Sequence, residues 1–97
     1  MSAPAADRGT RSPRFTESVD WADGRVRTTG RLTSAAADLL AGTTEQLRLA
    51  GHVRITVERP SSDADEVGRS ALRALAAELG AHHCQLVVLW EETENRL

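Results

Sequence analysis

Two apolar stretches, each preceded by a segment of helical periodicity, constrain the fold of this chain most. In "VRITVE" the residues alternate, with Val53, Ile55 and Val57 on one face, whereas "CQLVVLW" is almost continuously apolar. The alternation indicates a strand with one buried face, and the continuous run predicts a central strand covered on both faces. Because a helix that joins two strands of one sheet makes a crossover, the pattern predicts parallel pairing.

The two helices are predicted from apolar spacing and from end signals. The apolar stripes comprise Ala36, Leu39, Leu40, Thr43, Leu47 and Ala50 in the first, and Leu72, Leu75, Ala76 and Leu79 in the second. Thr33 or Ser34 can cap the first helix, and Gly51 can end it in the left-handed conformation. The spacing predicts helices over 34–50 and 64–79.

The region before the first helix predicts a hairpin. In "FTESVDW" the residues Phe15, Val19 and Trp21 share a parity, and Glu17 among them is typical of an edge strand or a partly wet face. The following "ADG" is a hairpin signal because Gly24 adopts positive φ at low cost. "RVRTTGRL" then returns as the second strand. The predicted strands cover 15–21, 25–31, 53–58 and 84–90.

The element order is strand, strand, helix, strand, helix, strand, which predicts one small α/β domain with a mixed four-stranded sheet. The chain has 97 residues, enough for a single core. Residues 1–13 are rich in Pro, Ala, Ser, Gly and Arg and cannot bury enough apolar surface to offset ordering entropy. We therefore predict a disordered tail over 1–13 and the domain over 14–97. The predicted core includes Leu40, Leu47, Ile55, Leu72, Leu75 and Val87.

Charge and composition argue against several function classes. The net charge is −2 and no block of five or six basic residues occurs, so nucleic-acid binding is not expected. No apolar run approaches the ~20 residues that span a bilayer, and the N-terminus lacks the apolar core of a secretory signal. The chain has no Lys for a Walker-type phosphate site and no assignable catalytic set. We expect a cytoplasmic protein that is not an enzyme, with no cofactor and no membrane association.

The sequence "AHHC" raises the question of a zinc site. Adjacent residues entering a strand point to opposite faces, so at most His82 and Cys84 share a side, and two ligands do not close a site. No metal site is therefore predicted. Cys84 is expected to be a small buried hydrophobe, and His82 and His83 to lie at the wet end of the strand.

The element order, together with "VRTTGRLTSAAADLL", "LRLAGHVRITVE" and "ALRALAAELGAHHCQLVVL", resembles a STAS domain, the domain of bacterial anti-sigma-factor antagonists. The resemblance covers about residues 15–90. Val26 to Leu32, followed by Thr33, match the strand that leads through a polar residue into the first helix, and Ala50-Gly51 match the small junction before the next strand. The resemblance implies a regulatory module that binds an anti-sigma factor of the serine-kinase type.

Two departures from the family concern the second helix and the C-terminus. In the family an Asp-Ser-Ser/Thr-Gly motif opens the second helix, and the partner kinase phosphorylates its first hydroxyl. Here Asp65-Glu66-Val67-Gly68 keeps the Asp and the Gly, has no hydroxyl, and places Glu66 at the acceptor position. Only seven residues follow Trp90, where family members continue into a further helix. The resemblance thus implies partner binding without an ordinary phosphoswitch.

Two interpretations of Glu66 stay open. Asp63 and Glu66 have the spacing of a capping box, which would make Glu66 a helix-capping residue only. Alternatively its charge imitates phosphoserine, although a phosphate carries about two charges and three acceptor oxygens. Ser61 and Ser62 in the loop, and Ser70 one turn into the helix, are candidate phosphate acceptors. The predicted partner-binding segment comprises Ser61, Ser62, Asp63, Asp65, Glu66, Val67 and Gly68.

Two alternative functions compete with partner regulation. A diverged STAS domain could hold a nucleotide or lipid near the same helix N-terminus, although the acidic "DADE" would repel an anionic ligand. A structural subunit could instead form a homodimer through an exposed strand edge.

Overall fold

The computed structural model of the chain describes residues 14–92. They form an α/β domain in the predicted order β-β-α-β-α-β. Its elements are β1 (Thr16–Asp20), β2 (Arg25–Thr29), α1 (Ser34–Leu49), β3 (Arg54–Pro60), a 3-10 helix (Ser61–Asp63), α2 (Glu66–Gly80) and β4 (Gln85–Glu91). Each of the six predicted helices and strands is confirmed to within two residues at either end. The predicted tail over 1–13 lies outside the described residues.

The four strands form one mixed sheet in the order β1-β2-β3-β4. β1 and β2 are antiparallel, whereas β2 with β3 and β3 with β4 are parallel, as predicted. The prediction that Cys84–Trp90 forms a central strand is wrong, because each crossover adds its strand on the outer side and leaves β4 at the edge. One face of β4 also lacks a covering layer, so Leu89 is 47% exposed.

Both helices pack on one face of the sheet, because successive crossovers of the same hand and direction place them side by side. We call this the covered face and the opposite one the open face. The core beneath the helices comprises Val26, Leu32, Ala36, Leu40, Leu47, Ile55, Val57, Leu72, Leu79 and Cys84. By strand alternation and register, the open face carries Ser18, Arg25, Arg27, Arg54, Thr56, Glu58, Val87, Leu89 and Glu91.

The predicted core is confirmed for Leu40, Leu47, Ile55 and Leu72, which are all buried. Leu75 and Val87 are only half-buried, so their full burial was wrongly predicted. Leu75 lines an open groove between α1 and α2. Val87 lies on the open face, where no helix covers it.

Turn and cap signals in the sequence have the expected backbone. Gly24 has φ +68°, and its N–H donates to the carbonyl of Asp20 at 3.0 Å, which closes the hairpin. Thr33 caps α1, with its hydroxyl accepting the N–H of Ala36 at 3.2 Å. Gly51, just beyond α1, has φ +110°. Among the described residues, neither helix has the length and apolar character of a membrane-crossing segment.

Candidate functional site

The loop between β3 and α2 is anchored by a buried arginine. Arg59, near the end of β3, is only 1% exposed. Its Nη1 donates to the hydroxyl of Thr28 at 3.1 Å, and its Nη2 donates to the carbonyl oxygens of Gly30 and Asp63 at 2.9 and 3.4 Å. A single side chain therefore ties β2 to the 3-10 helix that begins the loop.

Gly30, directly after β2, is the residue to which the loop is hydrogen-bonded. Its carbonyl accepts from Arg59, and its N–H donates to Oδ2 of Asp63 at 2.8 Å. Gly30 has φ +94°, and a Cβ at this position would lie 2.7 Å from the carbonyl oxygen of Arg14. Glycine is required here because both the backbone conformation and the close approach exclude a side chain.

Arg59 is also part of an aromatic stack at the edge of the sheet. Its guanidinium carbon lies 5.8 Å from the ring centroid of Trp90, and that of Arg69 lies 5.6 Å from it. Burial lowers the pKa of the Arg59 guanidinium. The nearby carboxylates of Asp63 and Asp65 raise this pKa and so offset part of the effect of burial. Since the ordinary pKa of arginine is far above neutrality, the site retains a fixed positive charge under the loop.

The cap of α2 is Asp65. Its Oδ1 accepts the N–H of Gly68 at 2.7 Å, in extended backbone conformation. The prediction of a capping box between Asp63 and Glu66 is wrong, because Asp63 belongs to the 3-10 helix and its carboxylate turns back to Gly30. Glu66 is therefore not part of a capping box, but its carboxylate lies in the first turn of α2, where the helix dipole favours a negative charge.

Gly68 is buried in the first turn of α2, directly against the cap. A Cβ at this position would lie 2.9 Å from Oδ1 of Asp65 and 3.6 Å from Cβ of Leu32. A larger residue would therefore displace the carboxylate that caps the helix. This close approach is a physical reason for an Asp and a Gly three positions apart in this motif.

The residues between Asp65 and Gly68 face solvent. The side chain of Glu66 is 80% exposed and pairs with Arg73, with Oε2 and Nη2 3.2 Å apart. This pair contributes little to stability, because both partners are solvated. Val67 is 67% exposed, so the first turn of α2 also presents an apolar side chain to solvent. The three candidate phosphate acceptors, Ser61, Ser62 and Ser70, are all exposed.

Sequence reasoning overlooked Arg59, although a signal was present. Arg59 shares the parity of Ile55 and Val57 in β3, so strand alternation places it on the covered face. A charged residue at a core position must find hydrogen-bond partners. Asp63 lies only four positions after Arg59, but Thr28 and Gly30 lie about thirty positions before it, and only the fold reveals them.

The histidines and cysteine before β4 lie as predicted, with His82 and His83 exposed and Cys84 2% exposed. Burial raises the pKa of the Cys84 thiol. Across residues 14–92, no group of three or more His, Cys, Asp or Glu side chains is arranged to hold a metal ion.

No protein-family model, curated protein or solved structure matches the chain. The resemblance to STAS domains therefore stays a prediction, supported by the order of the elements and by the residues quoted above.

Proposed function

We propose that this chain is a protein-binding regulatory module of the STAS type, whose partner is an anti-sigma factor of the serine-kinase type. The contact surface is the exposed part of the β3–α2 loop and the first turn of α2, which we call the loop surface. It comprises Ser61, Ser62, Glu66 and Val67. The observation that carries the proposal is that buried residues hold this loop firmly while these four side chains remain exposed.

Preorganisation of the loop supports a role in binding. Arg59 and Asp63 fasten the loop to Gly30 from two directions, and Asp65 caps the helix that follows. A partner that meets a loop already held in one conformation pays less ordering entropy on binding. The exposed Val67 supplies apolar contact area next to the charge of Glu66.

The electrostatics of the loop support a protein partner over an anionic small molecule. The N–H of Gly68, which could bind a phosphate at the helix N-terminus, is already taken by Asp65. Asp63 and Glu66 add two further carboxylates nearby, and like charges repel. A nucleotide or lipid headgroup would have to displace the cap against this repulsion.

The position of Glu66 supports a permanent charge at the place where the family carries its switch. Asp65 already caps α2, so the helix does not need Glu66 for its start. In the family, the unphosphorylated antagonist binds the partner and the phosphorylated form is released. A fixed carboxylate at this position is an imperfect phosphate substitute that weakens binding at all times.

A binding titration tests the proposal with a serine-kinase anti-sigma factor encoded in the same genome. Glu66→Ser should bind more tightly than the wild type by about tenfold, which corresponds to about 1.4 kcal/mol. Glu78→Ser removes the same charge from an exposed position of the same helix and should leave the affinity unchanged. Absence of binding by both wild type and Glu66→Ser would overturn the proposal.

Mass spectrometry after addition of ATP shows which residue, if any, the partner kinase phosphorylates. The Glu66→Ser variant should gain a phosphate at position 66, whereas the wild type should gain none. Equal affinities of wild type and variant would show that the Glu66 charge has no role in binding. Phosphorylation of the wild type on Ser61 or Ser62, followed by release, would show that the switch has moved along the loop.

A further inference from the structure

Among residues 14–92, β4 is an outer strand of the sheet, and only its β3 side pairs with another strand. The N–H of Gln85 donates to the carbonyl of Val53 at 2.8 Å, so the backbone groups of Gln85 face β3. Because these groups alternate along a strand, those of Leu86, Val88 and Trp90 point away from the sheet. The free edge of β4 therefore presents a regular row of donors and acceptors.

The two outer strands of the sheet differ in how they are protected. β1 has five residues and carries Glu17 and Asp20, and both short length and charge discourage pairing with another strand. β4 has seven residues, and its only charge is Glu91 at the end. Neither strand interior contains proline. By these criteria β1 is a protected edge and β4 is an open one.

We propose that β4 pairs antiparallel with β4 of a second copy of this chain, about a two-fold axis at Val88. This register pairs each outward-facing backbone group, with Val88 opposite its own copy and Leu86 opposite Trp90 of the partner subunit. The two four-stranded sheets then continue as one. A two-fold axis makes the contact self-complementary and closed, so the assembly stops at a dimer.

The side chains of β4 match their own copy on both faces of the sheet. On the covered face, the half-buried Leu86, Val88 and Trp90 meet the same three residues of the partner subunit. On the open face, Leu89, which is 47% exposed, meets the partner subunit's Val87. Apolar side chains thus lie opposite apolar side chains at every interior position, and cross-strand pairs of this kind stabilise a sheet.

Charge selects the antiparallel direction. Arg54 pairs in register with Gln85 at one end of the open face, and Glu91 lies at the other end. Within residues 14–92 neither Arg54 nor Glu91 has an ion-pair partner. Antiparallel pairing sets Glu91 opposite Gln85 of the partner subunit, one strand away from that subunit's Arg54. Parallel pairing would instead turn one of the two sheets over, so that Glu91 of one copy and Arg54 of the other would lie on opposite faces and could not meet.

The dimer leaves the loop surface free and therefore does not depend on the proposed function. The loop follows β3 and lies at the carboxyl ends of the parallel strands β3 and β4. Antiparallel pairing of β4 points these ends in opposite directions. The two loop surfaces lie at opposite ends of the joint sheet, where each is accessible to a separate partner molecule.

Sedimentation of the full chain over a dilution series tests the proposal. The wild type should sediment as a dimer, and Leu89→Lys should weaken the dimer about tenfold or more, because it places two charges in an apolar seam. Ser18→Lys puts the same charge on the same face at the β1 edge and should leave the dimer unchanged. Val88→Pro removes a donor only from the free side of β4 and should also give a monomer.

A charge exchange tests the direction of pairing and does not depend on any core substitution. Arg54→Glu and Glu91→Arg should each weaken the dimer, and the double variant should restore it. Circular dichroism confirms that each variant is folded. The proposal is overturned by a monomeric wild type, including one whose β4 edge is taken by a strand of another protein. Equal effects of Leu89→Lys and Ser18→Lys, or no recovery in the double variant, would also overturn it.

Discussion

Glu58 and Arg59 are neighbours in β3, carry opposite charges and are both buried, yet each belongs to a different face of the sheet. Glu58 is 5% exposed and lies on the open face under Arg25 and Arg27, at 3.3 and 3.1 Å. Arg59 is 1% exposed and lies on the covered face, where it donates to hydroxyl and carbonyl oxygens. Strand alternation prevents the two side chains from pairing with each other.

The difference between the two residues lies in their partners. The side chains of Arg25 and Arg27 are 50% and 63% exposed, so water screens their attraction for Glu58. The partners of Arg59 are largely removed from water and would lose their hydrogen bonds with it. The covered face therefore determines the stability of the domain and of the loop surface, whereas the charge buried on the open face is held by partly solvated ion pairs.

Among the substitutions compared, loss of Arg59 should lower the free energy of unfolding the most. Arg59→Ala leaves a cavity and unpaired oxygens on Thr28, Gly30 and Asp63, and should lower the free energy of unfolding by about 4 kcal/mol. Arg54→Ala removes an exposed arginine of the same strand from the open face and should change it by less than about 0.5 kcal/mol. Urea denaturation measures both. Equal losses would remove the distinction between the two faces.

Replacement of a leucine by alanine should likewise cost more unfolding free energy on the covered face than on the open face. Leu72→Ala, under α2 on the covered face, should cost about 3 kcal/mol. Leu89→Ala, on the open face and 47% exposed, should cost less than about 1 kcal/mol, measured on monomeric protein. Leu75 lines the open groove between the helices and should fall between them. Thermal unfolding of the three variants gives the order, and a different order would contradict the assignment of the faces.

Removal of the Glu58 charge should lower the free energy of unfolding by a smaller amount, and this amount should depend on the salt concentration. Glu58→Gln keeps the shape of the side chain and removes its attraction for Arg25 and Arg27, so it should lower the free energy of unfolding by about 1.5 kcal/mol. Because the arginines are partly exposed, the difference should shrink at high salt concentration. Urea denaturation at low and high salt checks this. A loss that does not respond to salt would place Glu58 in surroundings as dry as those of Arg59.

The smallest losses of stability are expected at the adjacent carboxylates Asp65 and Glu66, and the two losses should differ. Asp65→Ala removes the cap of α2 and should cost about 1 kcal/mol. Glu66→Ala removes only a solvated ion pair with Arg73 and should cost less than about 0.5 kcal/mol. Denaturation midpoints of the two variants provide the comparison. A larger loss for Glu66→Ala than for Asp65→Ala would restore the capping role to Glu66.

Local patterns in the sequence determined the helices, the strands and their order. The alternation around Ile55, the helical stripe through Leu72 and the glycine signals at Gly24 and Gly51 each depend on a few neighbouring residues, so they can be interpreted without the rest of the fold. Parallel pairing followed from the helices between the strands. The motif from Asp65 to Gly68 could likewise be located from its neighbours alone.

Only the tertiary structure decided which strands are inner and which residues hold the loop. The apolar run of β4 predicted a central strand, but strand order depends on where each crossover returns. Asp63 had the spacing of a helix cap, but the N–H of Gly30 takes its carboxylate. Arg59 finds Thr28 on β2 and Gly30 directly after β2 in the same way. These contacts join residues about thirty positions apart in the sequence, and a local pattern contains no information on which distant groups the fold brings together.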